Sequence, residues 1–176
     1  MRAMSGALLI SLIATVGTAS AQTSPLSAHT KFTYGVMKKM LVRSAELMPE
    51  EHYGFKPTDV VRSFGQIVGH VADAHYYHCS AVLGEKNPSL KIEQTKSTKA
   101  DLIAALKEAL AYCDRAYDGM TDAAATQLVK LTGYEMPKLG VLSINQIHAG
   151  LHYGNFVTYL RMKNIVPPTS EPGFSP

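Results

Sequence analysis

The chain has 176 residues, of which 18% are charged and 46% hydrophobic, and a formal net charge of +3. That length suits one domain with a real core rather than two. The charge is small and the lysines are scattered, so neither a nucleic-acid-binding protein nor a binder of anionic membranes is indicated.

Residues 1–21, MRAMSGALLISLIATVGTASA, hold Arg2, an apolar run from Ala7 to Val16, and small residues closing on Ala19-Ser20-Ala21. That is the layout of a secretory signal peptide. The apolar run is too short for a permanent span. The expectation is cleavage after Ala21, export to the periplasm or beyond, and a single mature domain over residues 22–176 with no membrane association. Export permits a disulfide between the only two cysteines, Cys79 and Cys113. Two small buried thiols are the alternative, and the sequence does not choose.

Four long helical patterns follow. The first runs from Leu26 to Met48, with Phe32, Val36, Met40 and Leu47 recurring at helical spacing. Pro49, Gly54 and Pro57 break the connector after it. The second runs from Ser63 to Leu83 and stops at Gly84. EKNPSLKIEQTKS reads as a polar loop. The third helix begins at Thr98, with Asp101 three residues on, and buries Leu102, Leu106, Ala109 and Leu110. DGMTDAAATQLVKLTGYEMPKLG reads as an irregular crossing with room for a short helix or strand. The fourth helix runs from Leu139 to Lys163 and ends before Pro167-Pro168. Four amphipathic helices of similar length argue for an all-α four-helix bundle.

The histidines carry the chemistry. His148 and His152 are four residues apart, about 40° around a helix, so they share one face. Val141, Asn145, Asn155 and Tyr159 fall near the same stripe, which is therefore apolar at its ends and polar in its middle. A metal would satisfy both imidazoles, with Asn145, Asn155 or Tyr159 as partners of the ligands. The pair is not HExxH, because Ala149, Gly150 and Leu151 lie between. A pair of hydrogen-bonded histidines lining a polar cavity is the alternative.

The second helix holds three more. Gln66, His70, Ala74, Tyr77 and Ala81 share a stripe, with His75 about 140° and His78 about 80° away from His70. His70, mid-helix, is the expected third ligand. His78 is a second candidate, and His75 reads as a surface or groove residue. Asp73 is placed to orient a neighbouring imidazole. His29 and His52 have no partner in the sequence.

With those residues in hand, the chain resembles the DinB/YfiT-like superfamily of helical metalloenzymes. The resemblance rests on HYGNFVTYLRMKNIVPP in the last helix and FGQIVGHVADAHYY in the second. It implies an up-down-down-up bundle with a long crossover, and a metal triad of His70, His148 and His152 holding zinc or nickel. It also implies metal-dependent thiol transferases, hydrolase-like enzymes and, for some relatives, a homodimer.

The functional expectation is a metal-dependent hydrolase of a small molecule. The catalytic group would be a metal-bound water, since no residue reads as a general base. Tyr77, Asn145, Asn155 and Tyr159 are pocket candidates. A thiol transferase is the second reading, with Arg161 and Lys163 as basic residues near the helix end. A non-catalytic periplasmic metal or ligand binder is the third, with His78 or Asp73 closing the site as a fourth ligand.

Overall fold

The computed structural model describes residues 24–174. The leader expected over residues 1–21 lies outside them. The elements in chain order are α1 (Pro25–Leu47), α2 (Phe64–Leu83), a one-turn α3 (Ile92–Thr95), α4 (Lys99–Asp118) and a one-turn α5 (Asp122–Ala125). A hairpin of β1 (Leu128–Leu131) and β2 (Tyr134–Pro137) precedes α6 (Lys138–Met162). No helix among the described residues is long and apolar enough to cross a membrane.

The long helices pair in a square. α1 runs against α4: Lys31 meets Asp118, Lys38 meets Asp114, and Glu46 meets Lys107. α2 runs alongside α4 in the same direction, with Gly65 against Leu102 and Cys79 bonded to Cys113. α6 is antiparallel to α2 and parallel to α1, since Phe64 packs on Phe156 while Thr33 meets Gln146 and Met37 lies against Gly150. The order is therefore up-down-down-up, and the long crossover is the α2 to α4 connection, which must return along the bundle because those two helices run the same way.

Local signals set the helix ends. Ser63 and Gln66 form a reciprocal capping box at the start of α2, and Gly84 stops it with φ 72°. The Thr98 side chain accepts from Asp101 N–H at the start of α4. α1 is capped from a distance: Asp122 accepts the N–H of Ser27 at 2.8 Å and its hydroxyl at 2.7 Å. The irregular crossing resolves into α5 and the hairpin. Thr132 and Gly133 turn it with φ 51° and 83°, the left-handed pair of a type I′ turn.

The buried face of α1 differs from the stripe expected. Tyr34, Leu41, Ala45 and Met48 enter the core, whereas Phe32 stays 57% exposed. Of the expected positions Met40 is buried and Leu47 packs against the core, so the spacing is right in part and Phe32 is the residue that faces out. In α4 the expected Leu102, Leu106, Ala109 and Leu110 are all buried. Cys79 and Cys113 form a disulfide between α2 and α4, with Cα atoms 5.3 Å apart.

Candidate metal centre

α2 contributes His70 and α6 contributes His148 and His152. The i,i+4 spacing puts the α6 pair one above the other, and antiparallel packing sets His70 against them. One ligand nitrogen from each lies within 4.8 Å of the others. His70 Nε2 is 3.0 Å from His148 Nε2. This is the one group of three or more such side chains among the described residues.

The hydrogen bonds fix which nitrogens face inward. His70 Nδ1 donates to Glu93 Oε2 at 3.1 Å, and His152 Nδ1 donates to Asn155 Oδ1 at 3.2 Å. Each ring then presents an Nε2 lone pair. His148 Nδ1 is buried without a partner. Burial, reinforced by the neighbouring imidazoles, pushes His148 down to about 3. Burial also lowers His152.

These residues fit a divalent ion. Neutral imidazoles are the required ligand form, and a lone pair of His70 opposed 3.0 Å away by another ring nitrogen is what a cation would relieve. Zinc–nitrogen bonds of about 2.0–2.1 Å put ligand nitrogens within about 3.5 Å of one another, a range the His70–His148 pair already occupies.

Glu93 is the residue that sequence reasoning missed. It lies inside the stretch expected to be a polar loop, which instead forms α3 with Ile92 only 1% exposed. Asp73 holds that turn by accepting the N–H groups of Ile92 at 2.9 Å and Glu93 at 3.0 Å. Both oxygens bond that turn, and Asp73 makes no hydrogen bond to an imidazole and does not join the close triad among the described residues. Gly69 lets the turn dock closely. Glu93 then grips His70 with one oxygen and Arg62 Nε with the other, at 2.7 Å.

The remaining candidates separate. His75 is fully buried, not a surface or groove residue. The arc of α2 that faces α4 and the bundle interior is wide, and His70 stands at its edge rather than its centre. His75 Nδ1 donates to Val71 O at 2.7 Å, and burial pushes the ring down to about 4. His78 is buried beside His148, ring centres 5.8 Å apart, but does not join the close triad. Asn145 is buried and donates to the Tyr117 hydroxyl at 3.1 Å, facing the core rather than a pocket. Tyr159 donates to Arg62 O at 2.9 Å. Arg161 bonds Ser170, and Lys163 sits 3.8 Å over the Phe55 ring.

Two cavities flank the triad. One of about 610 Å³ is lined by Lys56, Arg62, Gln66, His152, Asn155 and Tyr159, among others. The other, of about 490 Å³, is lined by His70, Tyr77, His78, Lys91 and His148, among others. Glu93 lines both.

Comparison with solved structures places this architecture. A DinB-like protein from Bacillus cereus ATCC 10987 is 13% identical with a TM-score of 0.71, over 80% of this chain and 95% of that one. A DinB-like protein from Bacillus subtilis, YjoA, is 18% identical with a TM-score of 0.62, over 77% and 92%. A mycothiol-dependent maleylpyruvate isomerase is 16% identical with a TM-score of 0.62, over 74% of this chain and 60% of that one. No curated protein matches significantly. The family model described as the DinB superfamily matches residues 35–155, which run from α1 through His152 to the residue that holds its ring. With most of its length so matched and its bundle wound in the same order, this chain belongs to the DinB superfamily.

Proposed function

We propose that the protein is an exported metal-dependent enzyme that hydrolyses a small molecule, with His70, His148 and His152 holding one zinc or nickel ion. The observation that carries the reading is the convergence of three imidazoles on the wall of two open cavities. Such an ion supplies Lewis-acid polarisation and lowers the pKa of a bound water or thiol. The chain's own residues orient it: Glu93 and Asn155 hold the outer nitrogens of His70 and His152, so that both rings stay in the ligand tautomer. Glu93 acts in this reading through the guanidinium and ring it holds, at Arg62 Nε and His70 Nδ1. Export is supported by the leader pattern of residues 1–21 and by the Cys79–Cys113 disulfide, a bond that persists in oxidising compartments.

The second cavity favours one further reading, thiol transfer. A transferase needs room for two reactants at one ion, and space is present on both sides of Glu93.

Metal analysis of tag-free protein purified without chelator tests the proposal. Near-stoichiometric zinc or nickel is expected, falling to background in a His148→Ala, His152→Ala double variant. Wild-type protein that takes up no divalent ion on loading would end both enzymatic readings. Screening turnover with and without added thiols separates them.

A further inference from the structure

We propose that the larger cavity beside His152 is a subsite for an anionic oxygen group, a carboxylate or phosphate, carried by the small molecule on which the protein acts. Arg62 is the residue that recognises it. The identity of the reacting end rests on the metal reading above; the subsite itself does not.

The hydrogen-bonding inventory of the lining carries the inference. Gln66 Oε1 accepts from Ser63 N–H at 2.8 Å, and Asn155 Oδ1 accepts from His152 Nδ1 at 3.2 Å. Glu93 spends one oxygen on Arg62 Nε and the other on His70. Asp59 is paired with Lys56 at 3.2 Å. Every amide and acid of the lining thus has an oxygen engaged by a protein donor. The side-chain donors left without a partner among the described residues are both terminal nitrogens of Arg62 and the amide nitrogens of Gln66 and Asn155; they outnumber the unpartnered acceptors, Asp59 Oδ2, fully exposed at the rim, and the His152 Nε2 lone pair. A concave wall with spare donors complements a ligand rich in acceptors.

Arg62 is also preorganised. Its carbonyl accepts the Tyr159 hydroxyl at 2.9 Å, and its Nε donates to Glu93 at 2.7 Å. Backbone and side chain are both fastened, which leaves the end-on edge of the guanidinium to fork two anionic oxygens with little rotamer entropy to lose. The formal charges of Lys56, Asp59, Arg62 and Glu93 cancel, so a divalent ion at the histidines would leave the cavity with net positive charge.

Calorimetric titration with succinate, inorganic phosphate and the neutral succinamide tests this, on zinc-loaded and on metal-free protein. Saturable binding of one or both anions is expected in both states, and none of succinamide; which anion binds names the group. Arg62→Ala is expected to weaken binding about tenfold or more, the equivalent of one charge-assisted hydrogen bond, and Arg62→Lys not to restore it. Asn155→Asp, at an exposed position, replaces a donor with an acid and is expected to weaken it too. The proposal is overturned if neither anion saturates wild-type protein, or if Arg62→Ala and Asn155→Asp bind as wild type does. It is equally overturned if binding needs zinc and ignores Arg62. Anion binding through Arg62 in a protein that never takes up metal would sustain the subsite and remove the metal reading.

Discussion

Gly69 and Glu93 meet backbone to backbone: a Cβ on residue 69 would stand 2.6 Å from Glu93 Cα and 2.8 Å from Glu93 N. Neither atom belongs to a flexible tip that can swing aside. The absence of a side chain at Gly69 is thus what allows α3 to lie on α2 and bring a carboxylate to His70. Gly69→Ala should force the turn outward, costing about 1–3 kcal/mol through overpacking. It should weaken zinc binding in the same protein. Thermal unfolding and a chelator competition read the two effects. Wild-type zinc affinity in this variant would mean that Glu93 reaches His70 without the contact.

Glu93→Gln isolates charge from shape. The glutamine can still accept from His70 Nδ1, but its neutral oxygen no longer raises the basicity of the ring. A loss of about 10–100-fold in zinc affinity is expected, with the far-ultraviolet circular dichroism unchanged. Equal affinities for the two proteins would show that the carboxylate is an ordinary surface acid.

Acid should destabilise the fold through His75. Its folded pKa is about 4, against about 6.5 in the unfolded chain, because burial opposes the charged ring. Below about 6.5 the unfolded chain takes up a proton that the folded protein refuses. The stability contribution is therefore complete above that value and is lost as the pH falls towards 4, by roughly 3 kcal/mol. Denaturant unfolding at pH 7 and pH 4.5 measures it. A His75→Gln variant should show a flatter dependence over that interval, and an unchanged slope would argue against His75 as the source.

The Cys79–Cys113 bond closes a loop with a sequence separation of 34. Loop-closure entropy assigns about 3–4 kcal/mol to such a link. Replacing both cysteines with alanine should lower the melting temperature by roughly 10 °C. Because the bond ties α2 to α4, on the side away from the triad, metal content should survive the change. A melting point within a degree or two of wild type would mean that the helix pair is held by packing alone.

Much of this architecture was readable from residues in order. The cap at Thr98, the stop at Gly84, the His148–His152 spacing and the prolines after α6 each act within a few positions. What escaped reading is non-local. Glu93 sits after Pro88 and Ser89, where local preference says loop, and its place depends on Asp73 oxygens 19 and 20 residues away. His75 escaped because angles were measured from His70 as if it marked the centre of the buried arc. α2 packs on both α4 and α6, so that arc is broad and a histidine about 140° from its edge can lie at the middle of the bundle. Phe32 shares its spacing with the buried Met40 yet stays exposed, since spacing along one helix does not say how far a neighbouring helix covers the stripe.

The winding order has a consequence for how the protein is made. His70 lies on the second long helix, and its two companions arrive with the last, which packs beside the first. A nascent or truncated chain ending before residue 148 holds one imidazole of the three and no more affinity for a divalent ion than any lone surface histidine. Tight metal loading would then be an event of the finished chain, and retained metal a signature of a completed fold.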